Sequence, residues 1–205
     1  MASDSSKRNF TLITAGDSNM TSVGPAAFTP TNSSVIDNLS IYDGAIYAAA
    51  DPLLGHTLSP LGNGGIAAQL ADKFVPAFDR VICAPCAVGG STTAMWAAGG
   101  VLYNRLAVTI KRLAARGITP LNCTFALIYQ IGANEHGVTS AAFQANVAQT
   151  VAKAKDAGFN GRIFIPIYSI ISNAADATRV VALATDAHGQ TALAGDRNDT
   201  RFWRI

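Results

Sequence analysis

Four short apolar runs, spaced by longer segments of helical period, constrain this chain more than any other feature. Phe10-Thr-Leu-Ile-Thr-Ala15 is apolar and β-branched and ends in Gly16-Asp17, the pattern of a strand meeting a turn. Arg80-Val-Ile-Cys-Ala84 is the second run, and Thr124-Phe-Ala-Leu-Ile-Tyr-Gln130 is the third. The third is continuously apolar, as expected of a central strand buried on both faces. Arg162-Ile-Phe-Ile-Pro-Ile167 is the fourth, which Pro166 ends early. Helical spacing fills the intervals. Ile66, Leu70 and Phe74 mark one buried face, and Leu102, Leu106, Ile110 and Leu113 mark another. The latter helix closes with Arg112 and Arg116 in its last turns and Gly117 just beyond, as dipole and C-cap favour. Thr139 or Ser140 caps the next, with Phe143, Val147 and Val151 as its stripe and Gly158 as its exit. Ala174 to Ala187 reads as a last helix, and Ser18 to Pro60 as loop-rich. Such alternation specifies an α/β fold, a central parallel sheet with helices on both faces: a three-layer α/β/α sandwich.

With 205 residues, the expected organisation is a polar tail over residues 1–9 and a single domain over 10–205. Hydrophobic residues are 49% and charged residues 14%, too apolar and too weakly charged for disorder. The net charge is +2, with no basic run beyond pairs such as Lys111-Arg112, so nucleic acid is not expected as a partner. Val81 to Asn104 is uncharged, but Pro85, Gly89, Gly90, Gly99 and Gly100 interrupt it, and no transmembrane helix is expected. Met1 to Asn9 has no apolar stretch of the kind a signal peptide needs. The expectation is a soluble protein; its oligomeric state is left open.

Three cysteines make no disulfide framework. Cys83-Ala-Pro-Cys86 has redox-motif spacing, but that chemistry needs its first thiolate at a helix N-terminus. Here the motif overlaps a strand end, so buried, inert thiols are expected. A zinc site would need further ligands, and only Cys123 and scattered histidines remain. Neither a metal nor a cofactor is called for. Gly62-Asn-Gly-Gly65 lacks the Lys-Ser/Thr of a phosphate loop and reads as a loop leading into a helix.

In open α/β sheets, ligands bind outside the carboxyl ends of the strands. Gly16-Asp17-Ser18-Asn19 follows the first run, Gly89-Gly90-Ser91 the second, and Gly132-Ala133-Asn134-Glu135 the third. A hydroxyl, flexible glycines with free N–H groups and an amide donor therefore meet at one edge. Those parts suit acyl transfer: Ser18 attacks a carbonyl while its own N–H, the Gly90 N–H and the Asn134 side chain hold the oxyanion. Asp17 shapes the turn through backbone N–H groups. Trp96 either stacks on a sugar ring at the cleft rim or simply packs.

Thr14-Ala-Gly-Asp-Ser-Asn-Met20 resembles the first block of the SGNH, or GDSL, hydrolases. Gly89-Gly-Ser-Thr-Thr-Ala-Met-Trp96 resembles the second block of the branch containing sialate O-acetylesterases and acetylxylan esterases. Tyr129-Gln-Ile-Gly-Ala-Asn-Glu135 resembles the third, and Asp51-Pro-Leu-Leu-Gly55 is similar to a segment common in that branch. The resemblance covers roughly residues 10 to 170. It implies a flavodoxin-like fold and a serine esterase that removes acetyl or other short acyl groups from carbohydrate.

Family members also carry Asp-x-x-His near the C-terminus, supplying the base and the acid that orients it. This chain has no such motif. Either Asn198-Asp-Thr-Arg201-Phe stands where Asp-Gly-Thr-His-Phe is usual, or Gly195-Asp196 leads into a block that the chain does not contain. His188 with Asp186 is an Asp-x-His pair in the corresponding region and is the candidate base. His136 follows the third block, and His56 lies in a Gly/Pro-rich loop. Two functions follow: a Ser18 esterase, or a non-catalytic or truncated relative that binds glycan or another ligand without turnover. A redox protein built on Cys83 and Cys86 comes third.

Overall fold

The computed structural model describes residues 8–57, 64–135 and 137–166. Its strands are β1 (Asn9–Gly16), β2 (Ile36–Leu39), β3 (Ile46–Ala48), β4 (Val81–Pro85), β5 (Cys123–Gln130) and β6 (Arg162–Phe164). They form one six-stranded sheet in the order β3-β2-β4-β1-β5-β6. Every neighbouring pair is parallel apart from β2 and β3, which run antiparallel with Asp37 opposite Ala48 and Leu39 opposite Ile46. The sheet is thus mixed rather than wholly parallel, and the stretch read as loop contributes two of its strands. The sequence Ile36-Asp-Asn-Leu39 hides its strand because its two central residues are polar. Asn38 is buried all the same, its Nδ2 donating to the Leu39 and Leu54 carbonyls and its Oδ1 accepting the Leu54 N–H at 2.6 Å. Those bonds offset the desolvation of the amide.

The helices are α1 (Ile66–Phe74), α2 (Thr93–Trp96), α3 (Arg105–Ala115) and α4 (Ser140–Asp156). Alternating strand residues feed two separate apolar clusters, as a period of two requires. Ile13, Ile82 and Leu127 pack with Leu106, Ile110, Phe143 and Val147. Phe10, Leu12, Val81 and Ala126 pack with Ala67, Ala68 and Ala71 of α1. The expected α1 face is realised in part: Leu70 and Phe74 pack against this cluster, whereas Ile66 is 44% exposed and the alanines are what the helix buries fully. Small side chains let α1 lie close to the sheet, while Phe74 at its end meets the Phe10 ring at 4.4 Å.

The other ends follow their local chemistry. Gly117, at φ 74°, ends α3, with the Ile118 N–H returning to the Leu113 carbonyl at 3.0 Å. Thr139 Oγ1 accepts the Ala142 N–H at 3.2 Å and caps α4, a contribution of about 1 kcal/mol. Strand β6 stops at Phe164, two residues before Pro166. The helix expected over Ala174–Ala187 lies outside the described residues. Among the described residues, no helix is long and apolar enough to cross a membrane.

Strand β1 is central. Strands β2 to β4 lie to one side of it, β5 and β6 to the other, so the chain changes side at β1. In open α/β sheets, ligands bind beyond the carboxyl ends of the strands at such a switch. Gly16 and Gln130 end β1 and β5 level with each other, and Thr14 stands opposite Pro85 at the end of β4. The three following loops therefore emerge along the same edge.

Candidate functional site

Backbone bonds stitch these three loops together. The Asp17 N–H donates to the Gln130 carbonyl at 2.9 Å, and the Val88 N–H donates to the Gly16 carbonyl at 2.9 Å. Gly16 permits the junction: it sits at φ 117°, and a Cβ there would fall 1.7 Å from the Gln130 carbonyl oxygen. Side chains add to the seam. Ser91 Oγ donates to the same Gly16 carbonyl at 3.1 Å and accepts from Trp96 Nε1 at 2.9 Å. Asn134 Nδ2 donates to the Ser91 carbonyl at 3.2 Å.

Ser18 opens a 3-10 turn, Ser18–Met20, capped by fully buried Asp17. Asp17 Oδ1 accepts the Asn19 N–H at 3.0 Å, and its Oδ2 accepts the Ala133 N–H at 3.2 Å. The carboxylate expected to shape the turn thus also bridges to the third loop. The half-buried Ser18 has no partner for its Oγ or its N–H among the described residues. In the second loop the Gly89 N–H donates to the Thr57 carbonyl at 2.7 Å and the Ser91 N–H to the Val88 carbonyl at 3.3 Å. The Gly90 N–H between them has no partner among the described residues. Gly90 is exposed at φ 75°, with nothing within 4 Å of a would-be Cβ. Asn134 uses one amide hydrogen on Ser91, leaving a second. Ser18, Gly90 and Asn134 therefore stand on three hydrogen-bonded loops at one sheet edge, each with an uncommitted donor.

His56 is buried in the same region without serving Ser18. Its Nε2 meets Thr14 Oγ1 at 3.4 Å and its Nδ1 meets Ser22 Oγ at 3.2 Å. Hydroxyls donate or accept, so they satisfy either neutral tautomer. Burial, assisted by the Arg105 charge, pulls the imidazole down to about 4. The ring is neutral at pH 7, with both nitrogens engaged. His188, Asp186 and His136 lie outside the described residues.

Trp96 is fully buried, meets Tyr129 edge-on at 6.0 Å and spends its N–H on Ser91. Of its two sequence readings, packing is the one realised. Cys83 and Cys86 are buried free thiols, pushed by desolvation up to about 12 and about 11. Among the described residues, no group of three His, Cys, Asp or Glu side chains is placed to hold a metal ion.

Two residues near the site had no role assigned to them from the sequence. Exposed Tyr42 pairs through its hydroxyl with Thr57 Oγ1 at 2.8 Å and lies under the Arg105 guanidinium at 5.9 Å. Thr57 is the residue whose carbonyl holds Gly89, so this ring stands beside the second loop. Glu135 is 2% exposed, and its Oε1 accepts the Thr93 N–H. Neither role shows in a one-dimensional pattern, since the partners lie 15 and 42 residues away in sequence.

No family model matches the chain, and no curated protein matches it. Solved structures do share its fold. A protein from Arabidopsis thaliana is similar with a TM-score of 0.55 and 17% identity, over 86% of this chain and 95% of that one. A tail fiber protein of an E. coli phage is similar with a TM-score of 0.50 and 16% identity, over 86% of this chain and 20% of that one.

Proposed function

We propose that this chain is a serine esterase of the SGNH/GDSL kind, built as a three-layer α/β/α sandwich, that removes acetyl or short acyl groups from carbohydrate. The observation carrying this reading is the trio of uncommitted donors, the Ser18 and Gly90 N–H groups and the second Asn134 amide hydrogen, on the loops at one sheet edge where Ser18 Oγ is also unengaged. Ser18 Oγ adds to the ester carbonyl carbon as its proton passes to a base, and the three donors receive the negative oxygen. Collapse expels the sugar alcohol, which takes up that proton; water then releases the acyl group from Ser18 by the same path in reverse. His188, oriented by Asp186, is the proposed base. The exposed Tyr42 ring beside the second loop supports a sugar as the alcohol portion, because an aromatic ring tethered through its hydroxyl presents both an apolar and a polar surface.

A second reading, a glycan-binding domain without turnover, is favoured by the missing Asp-x-x-His motif. Hydrolysis of p-nitrophenyl acetate by the parent and by Ser18→Ala, followed by intact-mass spectrometry, separates the two. Steady turnover lost in the variant supports the esterase. Equal rates in both proteins leave the binding domain, and an acetyl adduct on Ser18 without turnover means a nucleophile lacking its base.

A further inference from the structure

Asn134 and Glu135 are consecutive, and both reach back to one short stretch of the second loop. Asn134 Nδ2 holds the Ser91 carbonyl at 3.2 Å, and Glu135 Oε1 holds the Thr93 N–H. The gripped stretch begins one residue after Gly90. It is anchored further by Ser91 Oγ on the Gly16 carbonyl at 3.1 Å and by Asn146 Nδ2 on Thr93 Oγ1 at 3.2 Å. Glu135 is 2% exposed, and its Oε2 has no hydrogen-bond partner among the described residues. A carboxylate buried with one oxygen unsatisfied is costly, and an apolar side chain would fill the same space without that cost. What only an acceptor supplies there is the bond to the Thr93 N–H, which a carboxylate makes stronger than a neutral group does.

We propose that Glu135 is a positioning residue of the acyl-transfer site, fixing the Gly89–Gly90 turn at the height where the Gly90 N–H and the Asn134 amide address the same oxyanion. The inference rests on the esterase reading. Because Asn134 and Glu135 are neighbours on one turn, the Glu135–Thr93 bond and the Asn134–Ser91 bond together tie the second loop to the turn that carries Asn134. Removing the Glu135 bond leaves the remaining anchors to hold that loop and loosens it relative to Asn134. A donor displaced by about 1 Å costs on the order of a hundredfold in rate while leaving ground-state binding largely intact.

The test compares Glu135→Ala, which removes the acceptor, with Glu135→Gln, which keeps an oxygen on the same stem. On p-nitrophenyl acetate, Glu135→Ala is expected to lose about 10- to 100-fold in kcat with KM within about twofold, and Glu135→Gln to recover most of that loss. A merely structural role would lower the melting temperature of both variants without this division between kcat and KM. Glu135→Ala turning over at the parent rate overturns the proposal, as does a Glu135→Gln no better than Glu135→Ala. If the parent and Ser18→Ala hydrolyse equally, the esterase reading is what fails. The Glu135 bond is then judged by the Thr93 amide in ¹⁵N spectra: its hydrogen exchange should speed up about tenfold or more in Glu135→Ala. An unchanged rate shows that Glu135 holds nothing in place.

Discussion

Asp17 Oδ2 accepts the Ala133 N–H at 3.2 Å across 116 residues of sequence, while the same carboxylate caps the turn that begins at Ser18. One fully buried side chain therefore sets both the conformation of the Ser18 turn and its distance from the Asn134 loop. Asp17→Ala removes a cap worth about 1 kcal/mol and leaves the Ala133 N–H without its acceptor, a further cost of about 1–3 kcal/mol. The expected loss is about 2–4 kcal/mol in urea unfolding. Asp17→Asn keeps an acceptor oxygen and should lose less. Equal stability of Asp17→Ala and the parent would contradict this account.

His56 gives the fold a pH dependence of known sign. Its imidazole is held near pH 4 in the folded chain, against an ordinary value of 6.5. Below pH 6.5 the unfolded chain takes up a proton that the folded chain refuses, which favours unfolding. Stability is complete above about pH 6.5, declines as pH falls towards 4, and loses nothing more to this group below that. The expected contribution is about 3 kcal/mol over the window. His56→Gln keeps hydrogen-bonding atoms for Thr14 and Ser22 but does not titrate. Unfolding free energies measured from about pH 7.5 to about pH 4 should therefore fall less steeply in the variant, by about that amount. Parallel profiles for the two proteins would exclude His56 as the source.

Gly16 and Gly90 both have positive φ, yet they should respond very differently to a methyl group. At Gly16 the added Cβ meets the Gln130 carbonyl oxygen at 1.7 Å, in the seam between β1 and β5. The two central strands would have to part, so Gly16→Ala should lose more than about 4 kcal/mol or fail to fold. At Gly90 nothing lies within 4 Å, leaving only backbone strain of about 1–2 kcal/mol. Thermal melts of the two variants should separate them clearly. A Gly90→Ala melt as low as that of Gly16→Ala would mean that the second loop is packed more tightly than its open surroundings indicate.

The positions of β1, β4 and β5 along the chain were legible in the sequence because burial on both faces leaves an unbroken apolar run, whereas their order in the sheet was not. The loops after them were legible for the same reason: a run that ends in Gly-Asp or Gly-Gly has an identifiable carboxyl end. Strands β2 and β3 were not legible. Strand β2 buries Asn38, whose side chain satisfies the Leu54 backbone 16 residues away, and no local period records such a bond; β3 is only three residues long. On α1, Leu70 and Phe74 pack as their spacing indicates, but Ile66 was misjudged because hydrophobicity alone ranks it above Ala67, whereas close approach to the sheet favours the smaller side chain. The role of Glu135 was invisible in one dimension, since its partner lies 42 residues upstream.

Cys83 and Cys86 show how the same spacing acquires a different meaning in a strand. Three residues apart on a helix, two thiols share a face; three apart on an extended chain, they point to opposite faces and lie about 10 Å apart. Cys83 accordingly belongs to the core under α1, and Cys86 to the core on the other side of the sheet. A disulfide needs Cα atoms within about 7 Å, so the pair is not placed to close one. Burial also holds the thiols at about 12 and about 11, far from the range of a reactive thiolate. Cys123 is buried as well, and desolvation raises its thiol too. Ellman's reagent should leave all three thiols untouched in the native protein and titrate all three in guanidinium chloride. Oxidation of the folded chain to a species lighter by two hydrogens, with Cys83 joined to Cys86 in the peptide map, would contradict this placement and restore a redox role for the motif.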